Sequence, residues 1–209
     1  LFEILESMEQ QFLYLYQSYV PKYRQSNWGV LQTTSILQNA AWFGECFCLE
    51  EMKQIAEWAK DELLDQLESQ IYGDGSHWEQ SMMYHIEVLN SVTTMLVFRK
   101  RAGVVTPKRA EEILYGMYDY VMHAAGPDHL QIAQGDSDVT DIRDVMTRGA
   151  MLFEESAFKY AGYEEPDLES IWCFGMEQKE QYLKLKSKQP EILNGLYTES
   201  GNFYYRSGW

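Results

Sequence analysis

Apolar residues recur at three- and four-residue spacings along most of the chain, which is the period of amphipathic helices. Only five prolines interrupt this pattern. The pattern predicts helices over residues 2–19, 28–47, 50–70, 80–101, 107–124 and 140–161, with weaker ones over 167–174 and 177–186. Helices of this length joined by short loops form a bundle, a solenoid or an α/α toroid. No sequence period between about 20 and 50 residues is visible, which disfavours the solenoid.

The C-terminal residues follow a different pattern. Residues 202–207 have the sequence Asn-Phe-Tyr-Tyr-Arg-Ser and follow Ser200 and Gly201, which is typical of a β-strand after a turn. A single strand is not stable without a partner, so we expect this strand to begin a sheet that is formed by residues beyond this chain. The predicted fold class is all-α, with a short β-strand at the C-terminus.

Composition and charge exclude several classes of partner. The 45% hydrophobic residues are enough for a core, while 17 Lys and Arg against 32 Asp and Glu give a net charge of −15. A strongly negative chain is repelled by nucleic acid and by anionic membranes, so neither is a predicted partner. The spacing of Cys46, Cys48 and Cys173 suits neither a disulfide framework nor a four-ligand zinc site, and it predicts buried free thiols.

The densest group of polar side chains lies in residues 74–85, which read Asp-Gly-Ser-His-Trp-Glu-Gln-Ser-Met-Met-Tyr-His. This run passes from a turn into a helix, where backbone N–H groups favour an anion. The simpler interpretation is an elaborate helix cap, with Ser76 or Ser81 as the N-cap residue and with His77 and His85 half-buried.

Two shorter polar motifs have similar alternatives. Asn27 opens the second helix and is a good N-cap residue. Residues 135–138, Gly-Asp-Ser-Asp, are explained most simply as a cap, with Asp138 or Thr140 starting the next helix. They do not complete an EF-hand loop, and no histidine pairs with a cysteine at metal-ligand spacing. We therefore predict neither a metal nor a cofactor.

Four segments in sequence order together resemble the heparinase II/III-type polysaccharide lyases. They are residues 27–32, 72–85, 135–138 and 200–209. The resemblance implies an incomplete α/α toroid of antiparallel helix pairs followed by an antiparallel β-sandwich. It places residues 1–196 in the toroid and residues 197–209 in a linker and the first strand of the sandwich, whose remainder this chain lacks.

The resemblance also implies a reaction. Such lyases cleave uronic-acid-containing polysaccharides, glycosaminoglycan-like or alginate-like, by β-elimination and without a cofactor. Asn27 and Tyr84 stand at the positions of the asparagine that binds the uronate carboxylate and the tyrosine that serves as acid or base. An amide beside a helix start can donate to a developing enediolate, and a phenol with a pKa near 10 can protonate a leaving alkoxide.

Further residues are expected to contact the sugar. They are Trp28, His77, Trp78, Glu79 and His85. Many family members have a histidine where this chain has Trp28, which can stack on a sugar ring but cannot move a proton. His85 lies about 100° round the helix from Tyr84, which favours a structural role.

A further catalytic histidine of the family comes from the sandwich, so we expect this chain alone to be inactive. Family members are often periplasmic or secreted and some are cytoplasmic, which leaves the compartment open.

Two other functions remain as alternatives. A toroidal glycoside hydrolase would use a pair of carboxylates drawn from Asp74, Glu79 and Asp136. A non-catalytic carbohydrate-binding or scaffold domain would stack its aromatic side chains on sugars. For the lyase, the net charge of −15 favours a uronate polymer that is less sulfated than heparin.

Overall fold

The computed structural model describes residues 1–104 and 106–209, which divide into two compact units. The first unit comprises residues 1–70 and the second residues 71–209. Among the described residues, no helix combines the length and the apolar character that crossing a membrane requires.

The first unit consists of three helices and one turn of 3₁₀ helix. They are α1 (Phe2–Gln17), the 3₁₀ segment (Pro21–Gln25), α2 (Asn27–Cys46) and α3 (Glu50–Gln70). The short loop over residues 47–49 makes α2 and α3 an antiparallel pair that packs along its length. The core of the first unit is formed by apolar side chains from all three helices, namely Phe12, Ile36, Leu37, Phe43, Leu63 and Leu67.

The described residues of the second unit form six helices and a hairpin. The helices are α4 (Met82–Arg101), α5 (Lys108–Ala124), α6 (Arg143–Phe153), α7 (Ser156–Ala161), α8 (Leu168–Phe174) and α9 (Met176–Lys184). Every residue of α6 from Val145 to Met151 is buried, and α6 contacts each of the other five helices. A helix that is buried on all sides lies at the centre of its unit.

The prediction of one helix over residues 140–161 was wrong. Leu130 and Asp141 form an antiparallel bridge, and the amide of Ile142 donates to the carbonyl of His129 at 2.9 Å, so residues 140–142 lie outside the helix. Neither Asp138 nor Thr140 caps α6, which begins at Arg143. Its C-terminal limit is set by Glu154, whose left-handed backbone (φ 52°) separates α6 from α7.

The prediction of a lone C-terminal strand was also wrong. Strand β2 (Asn202–Tyr204) pairs in antiparallel fashion with β1 (Gly195–Tyr197), and the two are joined by a turn in which Gly201 has a φ of 76°. Strand β1 is only three residues long, which is too short for hydrophobic alternation to reveal it.

The cysteines differ from the expectation of burial. Cys46 and Cys48 are exposed where α2 ends, and Cys173 on α8 is partly exposed. All three are free thiols, as predicted.

Candidate active site

The two residues that the resemblance identifies as catalytic both lie at the start of a helix. Asn27 is the first residue of α2 in the first unit, and Tyr84 lies in the first turn of α4 in the second unit. A helix start exposes backbone N–H groups and the positive end of the helix dipole, both of which favour a negatively charged group.

Asn27 is buried, but it is not the cap that the sequence suggested. The N-cap residue is Ser26, whose hydroxyl accepts from the amide of Trp28 at 3.2 Å. Trp28 follows with 72% of its side chain exposed. The helix start therefore does not depend on the Asn27 side chain for its cap, and an exposed indole lies beside it.

A polar stripe on α3 holds the chain that leads into Asn27. Glu62, Gln66 and Gln70 are buried at four-residue intervals along that helix. The Gln70 amide donates to the carbonyl of Arg24 at 2.6 Å and to that of Ser26 at 3.1 Å. The stripe therefore fixes the end of the 3₁₀ segment immediately before Asn27.

The carboxylate of Glu62 completes this arrangement. It accepts from the guanidinium of Arg24, with Nε to Oε1 at 2.9 Å, and from the hydroxyl of Tyr19. Burial raises the pKa of Glu62, but these hydrogen bonds outweigh it and leave the pKa below its ordinary value. Burial and the bond to Glu62 raise the pKa of Tyr19 to about 12. Both groups are thus held in their ordinary charge states, which suits a structural role.

Gly29 allows the 3₁₀ segment to pack directly on α2. A Cβ atom at this position would lie 2.0 Å from the carbonyl oxygen of Tyr23, so a larger residue would push the segment away. This close approach accounts for a glycine one position after Trp28.

Ser81 caps α4 in the second unit, as one of the two sequence alternatives proposed. Its hydroxyl accepts from the amide of Tyr84 at 3.4 Å and donates to the carbonyl of Asp136 at 2.8 Å. The hydroxyl of Ser137 accepts from the amide of Met83 at 3.1 Å. The turn over residues 135–138 is therefore attached to the start of α4 and does not cap the following helix.

Gly135 makes that attachment possible. Its φ of 63° lies in the left-handed region, and a Cβ atom there would lie 2.5 Å from the carbonyl oxygen of Gln80. The sequence identified both this turn and the run of residues 74–85, but it did not indicate that they meet.

The turn brings Asp136 to Tyr84, whose hydroxyl donates to the Oδ2 atom of the carboxylate. Tyr84 is half-buried and Asp136 is exposed. The hydrogen bond to Asp136 is the main cause of a raised pKa of Tyr84, and partial burial and the charges of Asp136 and Glu79 add to it. The phenol is thus held in its protonated form, which is that of a proton donor.

The two histidines near Tyr84 are more deeply buried than the half-burial expected of them. Burial lowers the pKa of His77 to about 4 and that of His85 to about 3, so both rings are neutral at pH 7. The Nε2 atom of His85 lies 3.0 Å from the carbonyl of Met117, and its ring stacks on Tyr120 with the centroids 5.1 Å apart. These contacts are those of a packed core side chain.

Trp78 and Glu79 are more accessible than the histidines that flank them. Trp78 is 41% exposed and Glu79 is partly exposed. Both side chains therefore offer surface to a ligand near the start of α4, an indole for stacking and a carboxylate for accepting hydrogen bonds from hydroxyls.

Asp74 bonds to backbone and does not face a ligand site as a free carboxylate. It accepts from the amides of Ser76 at 3.1 Å, Glu199 at 2.9 Å and Ser200 at 3.1 Å. Burial raises its pKa, but the hydroxyl of Ser76, which donates to Asp74 at 2.6 Å, and these amides outweigh it and leave the pKa below its ordinary value. Asp74 therefore ties the loop before α4 to the C-terminal hairpin.

Side chains that the sequence did not single out complete this link. The amide of Asn202 donates to Gln80 at 2.7 Å, and the hydroxyl of Tyr204 donates to Gln134 at 2.6 Å. Three of the four resemblance segments thus meet in the second unit.

In the part of the chain that the structure describes, no group of three His, Cys, Asp or Glu side chains is placed to hold a metal ion.

These paired helices, with polar residues gathered at helix starts, define an all-α fold of the α/α toroid class. Residues 1–160 match the model of the heparinase II/III N-terminus, and the chain belongs to that family. This confirms the resemblance, and the solved structures below confirm the predicted fold class.

The chain is similar to the crystal structure of the heparan sulfate lyase HepC from Pedobacter heparinus, with a TM-score of 0.71 and 23% identity. That match covers 99% of this chain and 30% of the HepC chain. A heparinase III matches with a TM-score of 0.69 and 16% identity, over 93% of this chain and 27% of that one. The chain thus spans less than a third of the length of these lyases. No curated protein matches the sequence.

Proposed function

We propose that this chain is the toroid portion of a polysaccharide lyase that cleaves a uronic-acid-containing polysaccharide by β-elimination. The observation that carries the proposal is the accessible hydroxyl of Tyr84 at the start of α4, which donates a hydrogen bond to Asp136 and whose pKa that bond raises. Family membership supports the class of enzyme, and HepC, which is named a heparan sulfate lyase, supports an acidic polysaccharide as the substrate.

Each residue has a role in this reaction. The Asn27 amide binds the uronate carboxylate and stabilises the charge that develops when a base removes the proton from C5. A double bond forms between C4 and C5, the bond from C4 to the glycosidic oxygen breaks, and that oxygen takes the proton of Tyr84. Trp28 and Trp78 stack on sugar rings, while Glu79 accepts hydrogen bonds from sugar hydroxyls. His77 and His85 support this surface from within the core.

We further propose that residues 197–209 lead into a β-sandwich that supplies the remaining catalytic histidine. The match to only 30% of the HepC chain supports this arrangement. The 209 residues alone are then inactive, because Tyr84 provides an acid and no described histidine of its helix is accessible as a base.

The charge distribution favours a weakly sulfated substrate. The chain carries a net charge of −15, and Tyr84 lies beside two carboxylates, Asp136 and Glu79. A densely sulfated chain would be repelled most strongly at this point. Hyaluronate, unsulfated chondroitin, alginate and the poorly sulfated stretches of heparan sulfate are therefore preferred over heparin.

The test uses the intact natural protein that contains these residues. It is incubated with a panel of uronate polysaccharides, and the absorbance of the unsaturated uronate product is followed. Tyr84→Phe should lower the turnover about a hundredfold to ten-thousandfold, because it removes the general acid. Glu79→Gln keeps an oxygen that accepts hydrogen bonds from sugar hydroxyls, so it should raise KM modestly and leave kcat within about threefold.

The reverse result, with loss on Glu79→Gln and retention on Tyr84→Phe, would indicate a hydrolase with paired carboxylates. Binding of the polysaccharides without any cleavage would indicate a carbohydrate-binding domain. Either result would overturn the lyase proposal.

A further inference from the structure

We infer that Asp136 is a positioning residue that aims the Tyr84 hydroxyl and restricts this tyrosine to the acid half of the elimination. The inference rests on the proposed lyase function and deepens it, because the tyrosine at this position was expected to serve as either acid or base. It follows from the way in which the turn over residues 135–138 is fixed to the start of α4.

The position of the Asp136 carboxylate is set by its backbone. The Ser81 hydroxyl donates to the Asp136 carbonyl at 2.8 Å and lies 3.0 Å from the Ser137 hydroxyl, which in turn accepts from Met83. Gly135 brings the turn against Gln80, where a Cβ atom would collide. The same serine therefore caps the helix that carries Tyr84 and anchors the residue that meets its hydroxyl.

The Asp136 carboxylate makes few other contacts. Among the residues that the structure describes, Tyr84 is the side chain that donates a hydrogen bond to the Asp136 carboxylate, and no cationic side chain forms an ion pair with this carboxylate. Asp138 lies two residues further along the same turn and is also exposed, but there the backbone carbonyl, not the carboxylate, accepts a hydrogen bond from Gln131. The chain thus offers a matched carboxylate without the contact.

The chemical consequence follows from the charges. A phenolate at Tyr84 would lie directly against the Asp136 carboxylate, and the repulsion disfavours it as a resting state. Tyr84 therefore begins the reaction with its proton, and a neutral imidazole takes the proton from C5. When the glycosidic oxygen leaves with the electron pair of its bond to C4, the Tyr84 hydroxyl turns its hydrogen from Asp136 to that oxygen, the O–H bond breaks, and the proton passes to the oxygen. The imidazolium then returns one proton to the phenolate, directly or through water, and both groups regain their starting states.

The experiment compares Asp136→Asn with Asp138→Asn and Asp136→Glu in the intact protein. Asp136→Asn should lower kcat about tenfold to a hundredfold and change KM by less than about twofold, because the substrate is still bound but the acid is less well placed. The fall of the rate at alkaline pH should begin at a lower pH, because the Tyr84 hydroxyl has lost its anionic neighbour. Asp138→Asn should have the kcat and the pH profile of the natural protein. Asp136→Glu should have a kcat between those of Asp136→Asn and the natural protein.

A second measurement does not depend on turnover. The protein is labelled with carbon-13 at the tyrosine ring carbon that bears the hydroxyl, and the Tyr84 signal is identified by its loss in Tyr84→Phe. In the unchanged protein this signal should titrate above the ordinary value near 10, and in Asp136→Asn it should titrate lower.

An unchanged titration of Tyr84 and an unchanged pH–rate profile in Asp136→Asn would overturn the positioning role. An equal loss of activity in Asp138→Asn would also overturn it, because the loss would then come from the charge of the turn in general. A lowered titration in a protein that cleaves none of the polysaccharides would leave the hydrogen bond standing but refute the lyase function, and with it the catalytic assignment.

Discussion

Tyrosine hydroxyls donate to carboxylates in both units, and two of these pairs, one from each unit, differ in their surroundings. In the first unit Tyr19 donates to Glu62, and in the second Tyr84 donates to Asp136. In both pairs the carboxylate contributes to a raised pKa of the tyrosine. The local contact is thus the same, and the two pairs differ in their burial and in their further hydrogen-bond partners.

The pair in the first unit is enclosed and saturated. Glu62 is 6% exposed and also accepts from Arg24, while the Gln66 amide donates to the Tyr19 hydroxyl at 3.1 Å. Buried charges are stable only when their hydrogen-bonding capacity is met, and here it is met within the unit. This pair orders the chain before Asn27.

The pair in the second unit is open. Asp136 is exposed, Tyr84 is half-buried, and no cation pairs with Asp136 among the described residues. A phenol in such a place can exchange its partner for a ligand at little cost. The comparison teaches that the same hydrogen bond is part of the packed interior when it is enclosed and leaves the phenol available to a ligand when it faces solvent.

The largest effect that separates the two pairs is expected from removing each hydroxyl. Tyr84→Phe should lower lyase turnover about a thousandfold and leave the thermal midpoint unchanged, because an accessible hydroxyl contributes little to folding. Tyr19→Phe should destabilise the fold by about 1 kcal/mol, because it removes one donor from a buried carboxylate. The measurements are the polysaccharide cleavage assay and thermal unfolding. Equal losses of stability in both variants would contradict the distinction.

The next effect is the pH dependence of stability. It should differ between the two units, because all four histidines lie in residues 71–209. His77 and His85 have folded-state pKa values of about 4 and about 3, below the ordinary value of 6.5. Their neutral rings favour the folded state fully above about pH 6.5. As the pH falls towards 4, the unfolded chain binds protons first, and stability falls by about 1.4 kcal/mol per pH unit for each ring.

Two other groups also contribute to the pH dependence of stability. At His123, the hydrogen bond to Asp119 outweighs burial and raises the pKa, so its contribution is present below pH 6.5, is lost as the pH rises, and partly offsets the fall. In the first unit, the lowered pKa of Glu62 gives a contribution that is lost only as the pH falls below about 4.5.

Hydrogen exchange followed by mass spectrometry, corrected for intrinsic rates, tests this difference. Between pH 7 and pH 5, peptides from residues 71–209 should lose protection, and peptides from residues 1–70 should keep it. His85→Gln should weaken the pH dependence of the second unit, because it removes one of the two buried rings. A loss that is equal in both units would show that the buried histidines are not its cause.

The last effect is expected from neutralising the enclosed carboxylate. Glu62→Gln should cost about 2 kcal/mol, because hydrogen bonds to a charged group are lost, although the 43% exposure of Arg24 lets water replace part of them. This corresponds to a fall in Tm of about 4–8 °C for a protein of this size. Asp65→Asn is the matched control, since Asp65 lies 3.5 Å from Arg24 but is 58% exposed and should cost less than about 0.5 kcal/mol. A similar Tm for both variants would argue against an enclosed pair.

Local signals in the sequence determined most helices of this protein. The predicted helix over residues 50–70 coincides with α3. The one over 28–47 differs from α2 by one residue at each end, and the one over 107–124 differs from α5 by one residue at its start. Hydrophobic periodicity reports the face that a helix buries, and it is a property of neighbouring residues. It failed at residues 140–142 and 195–197, where pairing with a distant or very short segment determines the backbone.

The sequence also supplied Asn27 and Tyr84 as candidates, through the order of the four resembling segments. Only the tertiary structure decided what surrounds them. The exposure of Asp136 and the burial of Glu62 are not visible in residue types, since each is simply a carboxylate in a polar run. Tyr84 and Asp136 meet because a left-handed glycine and two serine hydroxyls attach one turn to one helix start. Such an attachment depends on the path of the intervening chain, whereas periodicity and capping depend on residues a few positions apart.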